Sequence, residues 1–282
     1  MKRIILASAL LCSTSLSAGE LPSWTRFYAG LNVGYGFGGD EYVLNSGSPG
    51  GFLTTGVNAT IGNALLSTNN TGGVVSSSGV IAGGQVGYNR QVTPQFVFGV
   101  EADIQGSGLN GSGTLSGVGL RQVNATTNLG YVLSTRITEN LSSIGTARGR
   151  VGYLVAPTVM IYGTAGLAYG EKNLTATPSR VTFQVSPTYD YGSTYTSIFS
   201  QGSASNFAAG WTAGGGAEWM VAPNWSVKGE ALYYNLGGLS ASNEEYRVDS
   251  SIPYAASVLN TQVKFEGIIA RAGVNYHFDW MK

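Results

Sequence analysis

The chain is 282 residues long with 15 basic and 15 acidic side chains, an even balance that excludes the electrostatic footprint of a nucleic-acid binder. Glycine fills 42 positions, about twice ordinary usage, while charged residues make up only 11%. No stretch beyond the N-terminal segment holds 18 consecutive apolar residues, so the sequence offers no membrane-spanning helix.

Residues 1–18 read as a secretory signal: Lys2 and Arg3, an apolar run from Ile4 to Leu11, then small residues to Ala18. The sole cysteine, Cys12, lies inside this segment, and the bulky Leu11 before it argues against a lipoprotein cysteine. Cleavage leaves a chain of 19–282 without cysteine, hence without a disulfide or a thiol catalyst. We expect these residues to form one domain.

From there the dominant signal is alternation with a period of two, the mark of extended strands with two different faces. The first strand spans 24–38, with Phe27, Ala29, Leu31, Val33, Tyr35 and Phe37 on its apolar phase. Residues 39–78 are rich in Gly, Ser, Thr and Asn and read as a long loop. A second strand over 79–91 turns at Thr93 and Pro94 into a third over 96–106, where Phe96, Phe98, Val100, Ala102 and Ile104 alternate with Gly99, Glu101, Asp103 and Gln105. Residues 107–141 read as a second long loop, although 125–137 alternates weakly and could lengthen the fourth strand or add others.

The fourth strand, 142–155, sets Ala147, Val151, Tyr153 and Val155 against Thr146, Arg148 and Arg150. Ala156, Pro157 and Thr158 turn into a fifth, with Val159, Ile161, Ala165, Leu167 and Tyr169 on one phase. A third loop, 171–206, carries Tyr189, Tyr191 and Tyr195. The hairpin 210–236 supplies strands six and seven; Trp211, Trp219 and Trp225 share the apolar phase, and Glu218, Lys228 and Glu230 lie on the other. A fourth loop leads to the eighth strand, 263–278, where Ile268, Ala270, Ala272, Val274, Tyr276 and Phe278 oppose Arg271.

Tight turns at Pro94, Pro157 and Pro223 recur at spacings of 63 and 66 residues, each backed by a long polar segment on the other side. Short turns at one rim, long loops at the other and aromatics near the turns (Tyr88, Phe96, Tyr153, Trp219, Trp225, Tyr276, Phe278) fit an outer-membrane barrel. We therefore expect an all-β, eight-stranded, antiparallel up-and-down transmembrane β-barrel with short periplasmic turns and long extracellular loops. A soluble barrel would bury the aliphatic phase instead; the signal and the turn asymmetry favour the membrane version.

On that assignment the inner phase carries four acids, Glu101, Asp103, Glu218 and Glu230, and four bases, Arg148, Arg150, Lys228 and Arg271. Buried charges are tolerated when paired, and eight strands enclose room for side chains alone. We expect a structural ion-pair network filling the lumen, with charges solvated in a narrow wet pore as the alternative.

The segments FYAGLNVGYGFGG (27–39), FVFGVEADIQGSG (96–108) and TARGRVGYLVAPTVMIYGTAGLAYG (146–170) carry a family resemblance. Here the chain resembles the opacity-type and outer membrane protein A-like eight-stranded barrels, within them the outer-membrane immunogenic (surface antigen) proteins of alphaproteobacteria. Tyr276, His277 and Phe278 also resemble the closing-strand signal read by barrel-assembly machinery, although Asp279, Trp280, Met281 and Lys282 follow where the family usually stops. The resemblance implies a surface-exposed protein of the cell outer membrane, with a part in envelope integrity and host contact and no catalytic motif. Partners implied are outer-membrane lipid and lipopolysaccharide, the assembly machinery during biogenesis and host surface molecules met through the loops.

Sharper functions find little support in the residues. Gly34, Gly36 and Gly39 satisfy a dinucleotide-binding pattern, but a polar loop follows where a helix should hold the pyrophosphate. His277 is the only histidine and reads as a residue of the periplasmic rim, far from the place a barrel lipase would need it. Glu101 with Asp103, or Glu218 with Glu230, could be the carboxylates of a glycosidase, but the arginines around them favour ion pairing. The tyrosine-rich stretch 187–199 could be a receptor or haem contact or a packed loop tip. We expect no enzyme and no cofactor; a small-solute porin is the alternative, and a lipid-modifying enzyme a more distant one.

Overall fold

In a computed structural model, residues 23–38, 41–49, 71–124, 127–185, 194–249 and 252–279 are described. The signal segment and residues 187–193, with Tyr189 and Tyr191, lie outside them. The described chain forms β1 (Arg26–Gly38), β2 (Glu41–Pro49), β3 (Thr71–Val75), β4 (Ser77–Gln91), β5 (Phe96–Asn124), β6 (Thr127–Ala156), β7 (Val159–Val185), β8 (Thr194–Phe199), β9 (Gly202–Ala222), β10 (Trp225–Asp249) and β11 (Ile252–Phe278). Eight of these close a ring in the order β1, β4, β5, β6, β7, β9, β10, β11 and back to β1, every pairing antiparallel. That is the eight-stranded barrel the alternation predicts.

The strands run much further than their apolar phases. Among the described residues, the segments expected as long loops are largely strand: β5 continues to Asn124 and β6 starts at Thr127, so 127–137 lengthens the fourth strand. β7 reaches Val185, β10 reaches Asp249 and β11 begins at Ile252. The short strands stand in this upper part. β2 lies beside β11 above the end of β1 with β3 next to it, and β8 bridges β7 and β10 above the start of β9.

The physical reason lies in a reversal of polarity along continuous strands. On β11 the outward residues Ile268, Ala270, Ala272, Val274, Tyr276 and Phe278 give way to Glu266, Lys264, Gln262 and Asn260, while the inward ones pass from His277, Asn275 and Arg271 to Ile269, Phe265, Val263 and Leu259. β5 does the same, from Val100 and Ile104 outside to Asn110, Ser112 and Thr114, and from Glu101 and Asp103 inside to Leu109 and Leu115. Serine, threonine and asparagine on the outer phase resemble loop composition when read along the chain. In the sheet they are the solvated face of a barrel with an ordinary hydrophobic core.

Two irregularities keep the inner phase inward across this boundary. Leu141 and Ile144 are both buried although two residues separate them, and the β6 register shifts between Leu141 and Ser143. On β10 the shift falls between Asn235 and Gly238, where Gly237 takes φ +71°, a conformation glycine adopts without strain. The Lys172 ammonium donates to the carbonyls of Leu236, Gly237 and Gly238 at 2.9, 3.3 and 3.0 Å, fixing that bulge from inside.

Candidate functional site

The interior is filled in three layers. At the periplasmic end Trp24, Val97, Leu154, Met160, Tyr162 and Met220 pack as an apolar plug. Trp24 is fully buried, and its indole N–H donates to the Pro157 carbonyl at 3.0 Å. In the extracellular half Ile81, Leu109, Leu115, Ile137, Leu141, Ile144, Leu174, Val263 and Phe265 belong to one hydrophobic core. The charged lumen that the alternation suggests is thus concentrated in the layer between, with Glu139, Lys172, Arg180 and Glu245 as further buried charges in the extracellular half.

That middle layer brings together all eight charged residues of the inner phase. Arg148 donates to Glu230 Oε2 and Asp103 Oδ2, both at 3.0 Å, and also bonds Glu101. Arg271 donates to Glu230 Oε1 at 2.8 Å and Asp103 Oδ2 at 2.7 Å. Lys228 reaches both Glu101 oxygens at 2.8 and 2.9 Å and lies 3.0 Å from Glu230. Arg150 binds Glu218 at 2.7 Å, donates to the Tyr28 hydroxyl at 3.0 Å and stacks over the Tyr162 ring at 4.0 Å. Tyr28 in turn donates to Glu101 at 2.6 Å. Charge-assisted bonds of this kind satisfy ions that water does not reach. The carboxylates weighed as glycosidase pairs are each engaged by arginine or lysine.

Glycine makes room for these side chains. A Cβ at Gly34 would sit 2.5 Å from Arg271 Cβ, so the residue that fits a dinucleotide pattern on paper is a lumen spacer.

Sequence reasoning missed the uncharged members. Ser226 donates to Glu218 Oε1 at 2.6 Å and lies 2.8 Å from His277 Nε2. Asn275 donates to the same Glu218 oxygen at 2.8 Å, and Gln85 donates to Asn275 at 2.6 Å. His277 is therefore no rim residue. It is fully buried between Tyr28 and Trp24, with ring centroids 5.5 and 6.2 Å away. The signal was present: Tyr28, Ser226, Asn275 and His277 occupy the inner phase next to residues already assigned to it. Serine, histidine and glutamate do meet here, yet Ser226 is closed off from solvent and His277 Nδ1 has no bonding partner among the described residues. A catalytic triad would have its acid on that nitrogen.

A second buried ion pair, Arg180 with Glu245, stands in the extracellular core, with the Arg180 guanidinium 5.6 Å from the Phe199 ring. It belongs to segments read as loops, so it escaped the count of inner charges. Phe199 ends β8, which takes in the described part of the tyrosine-rich stretch.

Outside, aromatic residues form two rims around the apolar belt. The lower includes Phe27 against Tyr88 at 4.6 Å, Phe96 against Tyr153 at 5.5 Å and Trp225 against Tyr276 at 5.1 Å. The upper, not foreseen, includes Tyr35 against Phe37 at 4.9 Å, Tyr169 against Phe207 at 6.0 Å and Trp211 against Tyr233 at 5.1 Å. An outward apolar band between two aromatic rims has a lipid bilayer as its physical solvent.

A closed antiparallel barrel, apolar outside between aromatic belts and charged within, is an integral outer-membrane β-barrel. The chain belongs to the outer membrane protein beta-barrel domain family, whose model matches residues 4–278. It is 30% identical to the 31 kDa outer-membrane immunogenic protein of Brucella melitensis biotype 1 over 294 aligned residues, covering 99% of this chain and 100% of that protein. The Brucella suis biovar 1 protein of the same name matches to the same extent. Among solved structures, OprG from Pseudomonas aeruginosa aligns at 9% identity and a TM-score of 0.35, covering 90% of this chain and 97% of that one. Neisserial surface protein A aligns at 13% identity and a TM-score of 0.30, covering 89% and 97%. Ail of Yersinia pestis aligns at 9% identity and a TM-score of 0.26, covering 87% and 99%. The protein resides in the cell outer membrane.

Proposed function

We propose that this barrel is a closed pillar with a structural and surface-contact role, without catalysis and without a conducting pore. The observation that carries the reading is the reversal of polarity along unbroken strands. Above Ile104, β5 continues for twenty residues to Asn124. At roughly 3.3 Å per residue and a tilt of about 40°, that raises the hairpin tips on the order of 50 Å above the apolar band. A stalk with its own hydrophobic core holds those tips rigidly, through the sugar layer of lipopolysaccharide and toward host surface molecules.

The filled lumen supports the non-conducting half. Apolar clusters packed on both sides of a charge-balanced network work against the continuous polar path that a small-solute porin needs. The burial of Ser226, and a His277 nitrogen without a bonding partner among the described residues, weigh against a lipid-modifying enzyme. Barrel-assembly machinery would act on the closing strand β11 during biogenesis.

Purified protein in planar bilayers should show no large, steady ion conductance, and porin-like steps would overturn the closed reading. Adhesion of whole cells expressing variants shortened at the β5–β6 or β10–β11 tips should fall for at least one tip. Adhesion indifferent to both shortenings would remove the contact role.

A further inference from the structure

The outer wall over β1, β4, β5 and β6 is not evenly filled. A hollow of about 820 Å³ opens on its lower part, walled by Phe27, Val86, Tyr88, Val100, Ala102 and Phe278. A second, of about 430 Å³, shares Ala29, Val86 and Ala102 and continues toward Ile104 and Tyr169 at the upper rim. The floor is low because small residues lie side by side in the ladder: Ala102 faces Ala147, and Val86 joins Ala102 to Ala29. The Phe27 and Tyr88 rings, 4.6 Å apart, form one wall at the level of the lower rim. The result is a groove that opens at the lower aromatic rim and reaches toward the upper one, on the surface that lipid already covers.

At its periplasmic mouth stands a cation. Arg90 follows Tyr88 by two residues on the same outward face of β4, about 6.6 Å further toward the periplasm. It is exposed and makes no ion pair among the described residues, whereas Arg26 at the same rim is held by Asp279 at 2.9 Å. The other outward-facing bases with described side chains, Arg136 and Lys264, stand on the extracellular stalk. Below the lower aromatic rim, Arg90 is thus the single outward base without an ion-pair partner among the described residues. An apolar slot of acyl-chain shape, ending at headgroup depth beside an unmatched positive charge, is complementary to one class of molecule.

We propose that this groove holds one anionic glycerophospholipid of the periplasmic leaflet, an acyl chain lying over Ala102 and Ala147 and the phosphate on Arg90.

The test is native mass spectrometry of the full mature chain, released from detergent containing equal amounts of phosphatidylglycerol and phosphatidylcholine. Wild type should retain one phosphatidylglycerol in preference to phosphatidylcholine. Arg90→Gln should lower that retention about fivefold, the effect of one basic residue at a membrane surface, and Arg90→Lys should restore most of it. Ala102→Trp, which fills the slot, should abolish it. Heat-modifiable gel mobility shows which variants are folded, and Arg90→Gln, outside the apolar band, decides the matter alone if Ala102→Trp does not assemble. Equal retention of the two lipids, or retention indifferent to the folded variants, overturns the proposal. So does a dimer that Ala102→Trp dissociates, since a second copy would then be the occupant.

Discussion

Arg148 on β6 and Glu230 on β10 meet at 3.0 Å, although β7 and β9 lie between their strands in the ring. The contact crosses the lumen. Opposite walls of the barrel therefore touch through their side chains, and each ion is held by partners from several strands rather than by its neighbour alone.

Removing one partner from such a network leaves uncompensated charge where water cannot reach. Arg148→Met should cost about 3–5 kcal/mol of stability, read from urea unfolding in lipid vesicles by tryptophan fluorescence. Arg148→Met combined with Glu230→Met should cost less than the sum of the two single changes. Additive losses would show that the pair is not coupled.

The membrane boundary can be read from two outward positions on one strand. Val100, 61% exposed, faces the apolar band, and Thr114 faces outward on the stalk. Val100→Arg should destabilise the folded barrel by about 2–4 kcal/mol. Thr114→Arg should change stability by no more than about 0.5 kcal/mol. Similar costs at both sites would place the boundary elsewhere.

The extra residue on β6 should be indispensable although its side chain is not. Deleting Ser142 removes the register shift between Leu141 and Ser143, so either Ile137 and Leu141 or Ile144 and Arg148 must turn to the wrong face. The deletion is expected to abolish the heat-modifiable folded band on gels, while Ser142→Ala leaves it intact.

Glu139 makes the stalk sensitive to pH. It lies among the apolar residues of the extracellular half, and burial pushes its carboxyl from the ordinary 4.5 up to about 7, with a hydrogen bond from Ser77 only partly opposing the shift. A carboxyl whose folded pKa is raised binds its proton more tightly in the folded state. Its contribution is complete below about pH 4.5 and is lost as pH rises through about 7. Amide protection in the β5–β6 hairpin, taken relative to the intrinsic exchange rate at each pH, should fall between pH 5 and pH 8 by a stability change on the order of 2 kcal/mol. Glu139→Gln should flatten that dependence; a slope unchanged in the variant would assign it to other groups.

Composition and alternation were enough to set the number of ring strands, the turns at Pro94, Pro157 and Pro223, and the faces of Val100, Arg148 and Arg271. A period of two is a local property, and each strand declares its own faces. The assignment faltered where local pattern and environment part. Ser112, Thr114, Asn260 and Gln262 look the same on a loop as on the wet side of a sheet, and Leu109 or Phe265 read as strays until the opposite wall supplies their neighbours. The bulges at Ser142 and Gly237 also hid the continuity, because each breaks the period that would have revealed it. Its place beside the end of the last strand makes His277 look like a rim residue, whereas its burial depends on Trp24, Tyr28 and Ser226 arriving from other parts of the sequence. Only ring closure decides what fills the axis, since the partners of a buried charge or a buried leucine stand on strands that the chain reaches tens of residues later.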